Sequence, residues 1–138
     1  MLSASELCSP KKRRKYKKAP LNKPLSEHRS QCALFEWAQH IPQLKTLHCT
    51  PNAAKRGYAL AAYLKAEGLR AGYPDVSLDY PVAPYHGAKI EMKSACRKPT
   101  DEQRWWLAEL AANGYACKVA YSFEEAKDFL LAYLAGKL

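Results

Sequence analysis

A regular succession of helix-like and strand-like segments restricts the fold of this chain more than any other feature of its sequence. Apolar residues that recur every three to four positions indicate helices, and apolar residues that alternate with polar ones indicate strands. In chain order the segments read α-β-α-β-β-α-β-α over residues 26–138, without an internal repeat. This order is typical of a mixed sheet covered by helices, so we predict a three-layer α/β domain.

Capping residues and helix breakers set the limits of these segments. Ser26 is a suitable N-cap for a first helix, which we expect to end near Ile41–Pro42, since a residue before proline disfavours helix. Thr100 begins a helix that extends to about residue 112, and Ser122 with Glu125 predicts a capping box for a last helix ending near residue 134. The other predicted segments are strands near 45–49, 76–80, 88–93 and 115–121, and a second helix over 55–67.

Positive charge is concentrated at the N-terminus. The chain carries a formal charge of +9, of which residues 1–25 hold +7 (eight basic side chains against Glu6) and the remainder only +2 (14 basic against 12 acidic). We predict a disordered basic arm over residues 1–25, followed by one domain over residues 26–138. The arm is expected to bind polyanions such as DNA, although a solvated tail without a partner is the alternative. The expected contacts are Lys11, Lys12, Arg13, Arg14 and Lys15.

Cysteine usage and hydropathy exclude several classes of protein. The chain has five cysteines, an odd number, and no C-x-x-C pair. This argues against a disulfide framework and a structural zinc site, and favours a reducing compartment, so we expect a cytoplasmic location. No apolar run approaches the roughly 20 residues that span a bilayer, and we expect neither a membrane partner nor an organic cofactor.

Two acidic residues and a lysine are predicted to meet on a hairpin formed by the two central strand segments. Pairing about a loop centre near residue 83 or 84 places Asp75 beside Glu91. Cross-strand β-carbons lie roughly 5 Å apart, close enough for two carboxylates to share a cation. Lys93 shares the sheet face of Glu91, whereas Ile90 and Met92 face the core.

This combination of groups suits the hydrolysis of a phosphodiester, which is anionic and builds up negative charge as it reacts. Carboxylates hold Mg²⁺ or Mn²⁺, and such an ion lowers the pKa of bound water and offsets charge on the phosphoryl group. A fixed ammonium stabilises developing negative charge. Each fragment alone has a simpler interpretation, since residues 72–75 form an ordinary turn sequence and residues 91–93 fit an exposed strand with an ion pair.

The segments AGYPDVSL, YHGAKIEMKS and PTDEQRWWLAELAANGYACKVAYSFEEA together resemble the virus-type replication-repair nuclease (VRR-NUC) branch of the PD-(D/E)XK nuclease superfamily. Pro74-Asp75 matches the PD element, and residues 91–93 match the ExK element. Gln103 stands where the branch has a glutamine that opens the helix after the hairpin. Glu27 matches its helical acidic residue, and TPNAAKRG at 50–57 resembles its Pro-Asn element. The resemblance covers about residues 26–135.

This resemblance implies a restriction-endonuclease-like fold that carries a Mg²⁺- or Mn²⁺-dependent site for DNA hydrolysis on one edge of the sheet. The implied metal ligands are Asp75, Glu91 and the main-chain carbonyl of Met92. Glu27 would support a metal or its water shell, or simply compensate the helix dipole. Lys93 would act on the attacking water, and Gln103 would orient Lys93 or the phosphate, unless it is a surface residue of its helix.

The remaining expectations concern substrate and partners. Lys55 and Arg56 at the start of a helix, and Arg97 with Lys98 after the catalytic strand, are predicted to contact DNA phosphates. No side chain suggests base-specific readout, so recognition of DNA shape is favoured. Trp105 and Trp106 are adjacent on a helix, so one is expected in the core and the other at an interface or stacked on nucleic acid.

Stand-alone members of the branch are associated with branched DNA, including four-way (Holliday) junctions, which implies a role in DNA repair in a bacterial or phage-infected cell. Symmetric cutting of a junction requires two active sites, and a two-fold homodimer would supply them. Two other functions stay open: a non-catalytic nucleic-acid-binding module, and a nuclease with another task, such as sequence-specific restriction or RNA processing.

Overall fold

A four-stranded mixed sheet forms the centre of the computed structural model, which describes residues 26–51 and 58–138. Four α helices are present in these residues: α1 (Glu27–Ala38), α2 (Tyr58–Ala66), α3 (Asp101–Ala112) and α4 (Phe123–Leu134). The strands are β1 (Leu47–Cys49), β2 (Val76–Leu78), β3 (Ala88–Met92) and β4 (Ala116–Ala120), and a short 3-10 helix covers Pro42–Leu44. The predicted order α-β-α-β-β-α-β-α is confirmed.

The strands lie in the order β1-β2-β3-β4. Strands β1 and β3 both pair with β2 in the antiparallel sense, whereas β4 runs parallel to β3. A parallel pair needs a crossover connection, and α3 provides it. The predicted hairpin of β2 and β3 is therefore the inner pair of strands. The expectation that the site lies on an edge of the sheet is corrected, because β1 and β4 flank the hairpin on both sides.

The apolar core lies between the sheet and helices α1 and α4. Val76, Ile90 and Met92 point into it and are at most 1% exposed, as their alternation along the strands predicted. Tyr133 of α4 also lies in this core. Each such side chain contributes roughly 1.5–3 kcal/mol by leaving water. The opposite sheet face carries polar residues and lies against α3, and this polar face forms the candidate site.

Local signals determine where the helices begin and end. The Ser26 side chain accepts a hydrogen bond from the Arg29 amide, so the predicted N-cap of α1 is confirmed. This helix ends at Ala38, earlier than predicted, because Ile41 takes the extended conformation that proline imposes on the residue before it. A short 3-10 helix then begins at Pro42.

The two C-terminal helices are capped in different ways. The Ser122 hydroxyl accepts from the Glu125 amide at 3.2 Å, as predicted for α4. The Glu125 carboxylate, however, accepts from the Tyr121 amide at 3.0 Å instead of the Ser122 amide, so the reciprocal half of the predicted box is displaced by one residue. The complete capping box is at the start of α3, between Thr100 and Gln103.

Helix α2 differs from the other described helices in that it is almost wholly apolar in sequence and yet none of its residues 59–66 is buried. Within residues 26–51 and 58–138, no helix combines the length and the apolar character needed to cross a membrane.

Candidate active site

The pairing of β2 with β3 brings Asp75 and Glu91 together. Val76 pairs with Ile90 in the antiparallel register. Asp75, which directly precedes β2, therefore faces Glu91. Both acids are buried, at 6% and 0% exposure. The backbone amide of Met92 donates a hydrogen bond of 3.0 Å to Asp75 Oδ2, which fixes the Asp75 carboxylate against the end of β3. The predicted juxtaposition of the two acids is thus present.

The two oxygens of Glu91 have different surroundings. Lys93 Nζ lies 2.5 Å from Glu91 Oε1, and Gln103 Nε2 donates to the same oxygen. Glu91 Oε2 is equally buried, but no hydrogen-bond donor of the described residues reaches it. One oxygen of this carboxylate is therefore held by two donors, while the other has no donor among the described residues.

Gln103 is itself fixed by the capping box of α3. Its side-chain oxygen accepts from the Thr100 amide at 2.9 Å, and the Thr100 hydroxyl accepts from the Gln103 amide at 3.3 Å. Because the oxygen end of the side chain is used in the cap, the nitrogen end faces Glu91. The family resemblance implied that Gln103 orients Lys93 or the phosphate, and in the structure Gln103 and Lys93 both contact one oxygen of Glu91. The T-x-x-Q spacing was an available signal for this cap.

Burial raises the pKa of Glu91 from 4.5 to about 7; the hydrogen bond from Lys93 opposes this rise, and the neighbouring Asp75 carboxylate adds to it. A carboxyl group with this pKa is only partly ionised at neutral pH. A cation placed between the two acids would reverse the effect, because it favours both ionised forms.

These groups fit a hard divalent cation. Mg²⁺ is commonly bound by one or two carboxylates and retains several waters, and here a buried unsatisfied carboxylate oxygen lies beside a second carboxylate. Within the described ranges, no group of three or more His, Cys, Asp or Glu side chains is gathered in a way that could hold a metal. Glu27, half-buried in the first turn of α1, is accordingly not brought together with Asp75 and Glu91.

Trp106 and Gly72 fasten the loop that carries Asp75 to α3, a contact that the sequence did not predict. Trp106 Nε1 donates to the Ala71 carbonyl at 3.0 Å, and its ring contacts Tyr73 edge-on with centroids 5.1 Å apart. Gly72 has a φ of +80°, and a β-carbon there would lie 2.8 Å from the Glu102 β-carbon. Only glycine therefore permits this close approach of the loop to α3.

A buried lysine extends the polar face beyond the two acids. Lys89 is 5% exposed; its ammonium lies 3.5 Å from Asp79 Oδ1 and 4.8 Å from the centre of the Tyr115 ring. The Ser77 hydroxyl on the facing strand is buried without a partner among the described residues. The ion pair and the ring together compensate for burying the ammonium. Lys89, Glu91 and Lys93, the last directly after β3, alternate with apolar residues. This alternation was the signal that placed all three on one face.

The predicted DNA-contacting residues are only partly described. Arg97 and Lys98 are exposed in the loop between β3 and α3, shortly after Lys93. The other predicted contacts lie outside the described residues: Lys11, Lys12, Arg13, Arg14, Lys15, Lys55 and Arg56.

Comparison with known proteins agrees with this fold. The model of the VRR-NUC domain family matches residues 12–124, a range that begins inside the predicted basic arm. A solved structure named "VRR_NUC domain protein" is 28% identical and superimposes with a TM-score of 0.71; the match covers 82% of this chain and 91% of the other. No curated protein matches the sequence. The predicted restriction-endonuclease-like fold is confirmed, and the chain belongs to the VRR-NUC domain family of nucleases.

Proposed function

We propose that this VRR-NUC domain is an endonuclease that hydrolyses DNA phosphodiester bonds with the help of Mg²⁺ or Mn²⁺. The observation that carries the proposal is the asymmetry of Glu91. Both of its hydrogen-bond donors hold Oε1, whereas the buried Oε2 has no donor among the described residues, and the Asp75 carboxyl group is close enough to raise the pKa of Glu91. An unsatisfied buried carboxylate oxygen is costly to the fold, and it is what a metal ligand requires.

In this proposal Asp75 and Glu91 hold the metal, and the main-chain carbonyl of Met92 completes the protein ligands. The bound ion supplies a Lewis acid that lowers the pKa of a water molecule and offsets negative charge on the phosphoryl group. The Met92 amide keeps Asp75 in place, at a distance of 3.0 Å. Glu27 is proposed only as a support for the surrounding waters.

Lys93 is proposed to act on the attacking water and to stabilise the negative charge that develops on the phosphoryl oxygens. Its side chain is 10% exposed, so the ammonium is held in a largely desolvated position where its charge acts strongly. Gln103 is a positioning residue, because it contacts Glu91 and the backbone of α3. It restricts the rotation of the Glu91 carboxylate and keeps Oε2 available.

We extend the proposal to the substrate. Arg97 and Lys98 are exposed four and five residues after Lys93 in the chain, and cations there suit a phosphate backbone without reading its sequence. Branched DNA, including four-way junctions, is the proposed substrate, and a two-fold homodimer would supply two cuts. The four described cysteines are free thiols, which supports a reducing compartment such as the cytoplasm of a bacterial or phage-infected cell engaged in DNA repair.

The test is a nicking assay on supercoiled plasmid with Mg²⁺, Mn²⁺ or a chelator. We expect Asp75→Asn and Lys93→Met to lower the rate by about 100-fold or more, the size of effect seen when one stabilising group is removed from an active site. The matched controls are Asp128→Asn and Lys137→Met, exposed residues on or beyond α4, and both should cleave at the unsubstituted rate.

The pattern of substrates then separates the remaining alternatives. Faster cleavage of four-way junctions or flaps than of linear duplex supports structure-specific action. Preferential cleavage at one sequence, or of RNA, indicates a nuclease with another task. Absence of cleavage on every substrate and with both metals contradicts the proposal and favours a non-catalytic binding module.

A further inference from the structure

Tyr121 directly follows β4 and stands next to Lys93 of the candidate active site. Strand β4 runs parallel to β3, and Glu91 pairs with Val119 in this register. The register is closed by a hydrogen bond of 2.9 Å from the Lys93 amide to the Ala120 carbonyl, so Lys93 and Tyr121, the next residue of each segment, lie side by side. Neighbouring strands are about 4.8 Å apart, and the alternation of side chains puts Tyr121 on the face of Glu91 and Lys93.

The Tyr121 side chain is exposed, while its backbone is fixed. The residue is 37% exposed, and with residues 26–51 and 58–138 its ring forms no ring pair and its hydroxyl no hydrogen bond. The Tyr121 amide, in contrast, donates to Glu125 Oε2 at 3.0 Å, the displaced half of the capping box of α4. An aromatic ring on a fixed backbone is suited to binding, because only two side-chain torsions must be ordered when a ligand arrives.

The charges around Tyr121 favour an uncharged partner for its ring. Glu124 and Glu125 stand in the first turn of α4, close to Tyr121 in the chain, and would repel a phosphate placed against the ring. The cations that suit a phosphate backbone, Arg97 and Lys98, lie instead in the loop after β3. The flat face of a nucleobase is uncharged, and aromatic side chains stack on it whatever the base. A base is therefore the part of DNA that fits Tyr121.

Only a base that has left the helical stack can offer its face to this ring. Within a continuous duplex both faces of every base are covered by the neighbouring base pairs. Unpaired bases in single strands and at branch points are open, and aromatic side chains stack on them. Because Tyr121 neighbours Lys93, the base that it can reach is one next to the phosphate that Lys93 faces.

We infer that Tyr121 is a specificity-determining residue, which stacks on an unpaired base next to the scissile phosphate and directs the site to DNA with unpaired bases at a branch. The inference rests on the proposed function, because it requires the scissile phosphate to lie at Lys93. It adds to that function the feature of the substrate that is recognised and the residue that recognises it. Stacking tolerates every base, so it selects the structure of the DNA and not its sequence.

The first experiment measures binding without cleavage. The full chain, with a chelator present, is titrated into a fluorescently labelled flap DNA and into a linear duplex of the same length, and the anisotropy gives both dissociation constants. Tyr121→Ala should reduce the preference for the flap, the ratio of the two constants, by about tenfold or more. Tyr121→Phe retains the ring and should retain the preference. Tyr80→Ala is the matched control, because Tyr80 is 39% exposed beyond the end of β2 that is remote from Asp75.

The second experiment locates the stacked base. The fluorescent adenine analogue 2-aminopurine is placed in the flap DNA, one position at a time, on both sides of the branch point, and its emission falls when it stacks on an aromatic ring. The expected result is quenching at a position next to the branch with the unsubstituted protein, and none there with Tyr121→Ala. Quenching that persists in Tyr121→Ala would assign the stacking to another residue and overturn the inference.

Cleavage assays with Mg²⁺ or Mn²⁺ separate this inference from the nuclease proposal. Tyr121→Ala should lower the ratio of kcat/KM on the flap to kcat/KM on the duplex by about tenfold or more, chiefly through KM. An unchanged ratio, or an equal loss in Tyr121→Phe, which would indicate use of the hydroxyl instead of the ring, overturns the inference alone. A chain that cleaves no DNA but binds the flap with a preference that depends on Tyr121 contradicts the nuclease proposal alone.

Discussion

The substitution Glu91→Gln is expected to make the metal-free protein more stable at alkaline pH relative to the unsubstituted chain. Burial raises the pKa of Glu91 from 4.5 to about 7, so the folded state binds this proton more tightly than the unfolded chain does. For an acid with a raised pKa, no stability is lost below pH 4.5. The loss grows as pH rises through the interval from 4.5 to 7 and stays constant above it.

The magnitude follows from the two pKa values. Each tenfold difference in proton affinity corresponds to about 1.4 kcal/mol, so ionising Glu91 costs the folded state about 3 kcal/mol at pH 8 and less than about 1 kcal/mol at pH 5. Glutamine does not titrate. The free energy of unfolding of Glu91→Gln minus that of the unsubstituted protein should therefore increase by about 2.5 kcal/mol from pH 5 to pH 8.

The assay is chemical denaturation in the presence of a chelator at several pH values, with Glu109→Gln, an exposed residue of α3, as the control. Groups that titrate elsewhere cancel in the difference between variants. A difference that does not change with pH would refute the argument that Glu91 is desolvated. Addition of Mg²⁺ or Mn²⁺ at pH 8 should raise the melting temperature of the unsubstituted protein and leave that of Glu91→Gln unchanged.

Three further predictions concern other parts of the molecule. Tyr133→Phe removes a hydroxyl that bonds two backbone groups of the β2–β3 loop, so it should cost about 2 kcal/mol in urea denaturation, whereas Tyr121→Phe at an exposed site should cost almost nothing. Gly72→Ala should lower nicking activity by displacing the loop from α3, while Gly68→Ala, also at positive φ but in open space, should not; equal activity of the two variants would contradict this. Deletion of residues 1–22 should flatten the slope of log affinity against log salt for DNA by about 4 if five arm cations contact phosphate, and an unchanged slope would show that the arm does not bind.

The order of elements and the meeting of Asp75 with Glu91 were predictable because they depend on short-range rules. Alternation with a period of two puts Glu91 and Lys93 on one face, and antiparallel pairing about a nearby turn sets which residues face each other. Helix caps such as Ser26 act over three residues and were equally predictable. The family motifs added the roles of these residues to a geometry that the spacing already indicated.

Tertiary structure alone decided the chemical state of the site. Glu91 is buried because β4 and α3 cover its strand, and Gln103 reaches it from a helix twelve residues further along the chain. Trp106 secures the loop of Asp75 across 35 residues of sequence. The burial of Glu91 and its contact with Gln103 depend on segments that meet only after folding, so no local pattern contained them. The sequence thus determined which groups are present and on which face, whereas the packing of distant elements determined how strongly Glu91 holds its proton and left residues 59–66 of α2 outside the core.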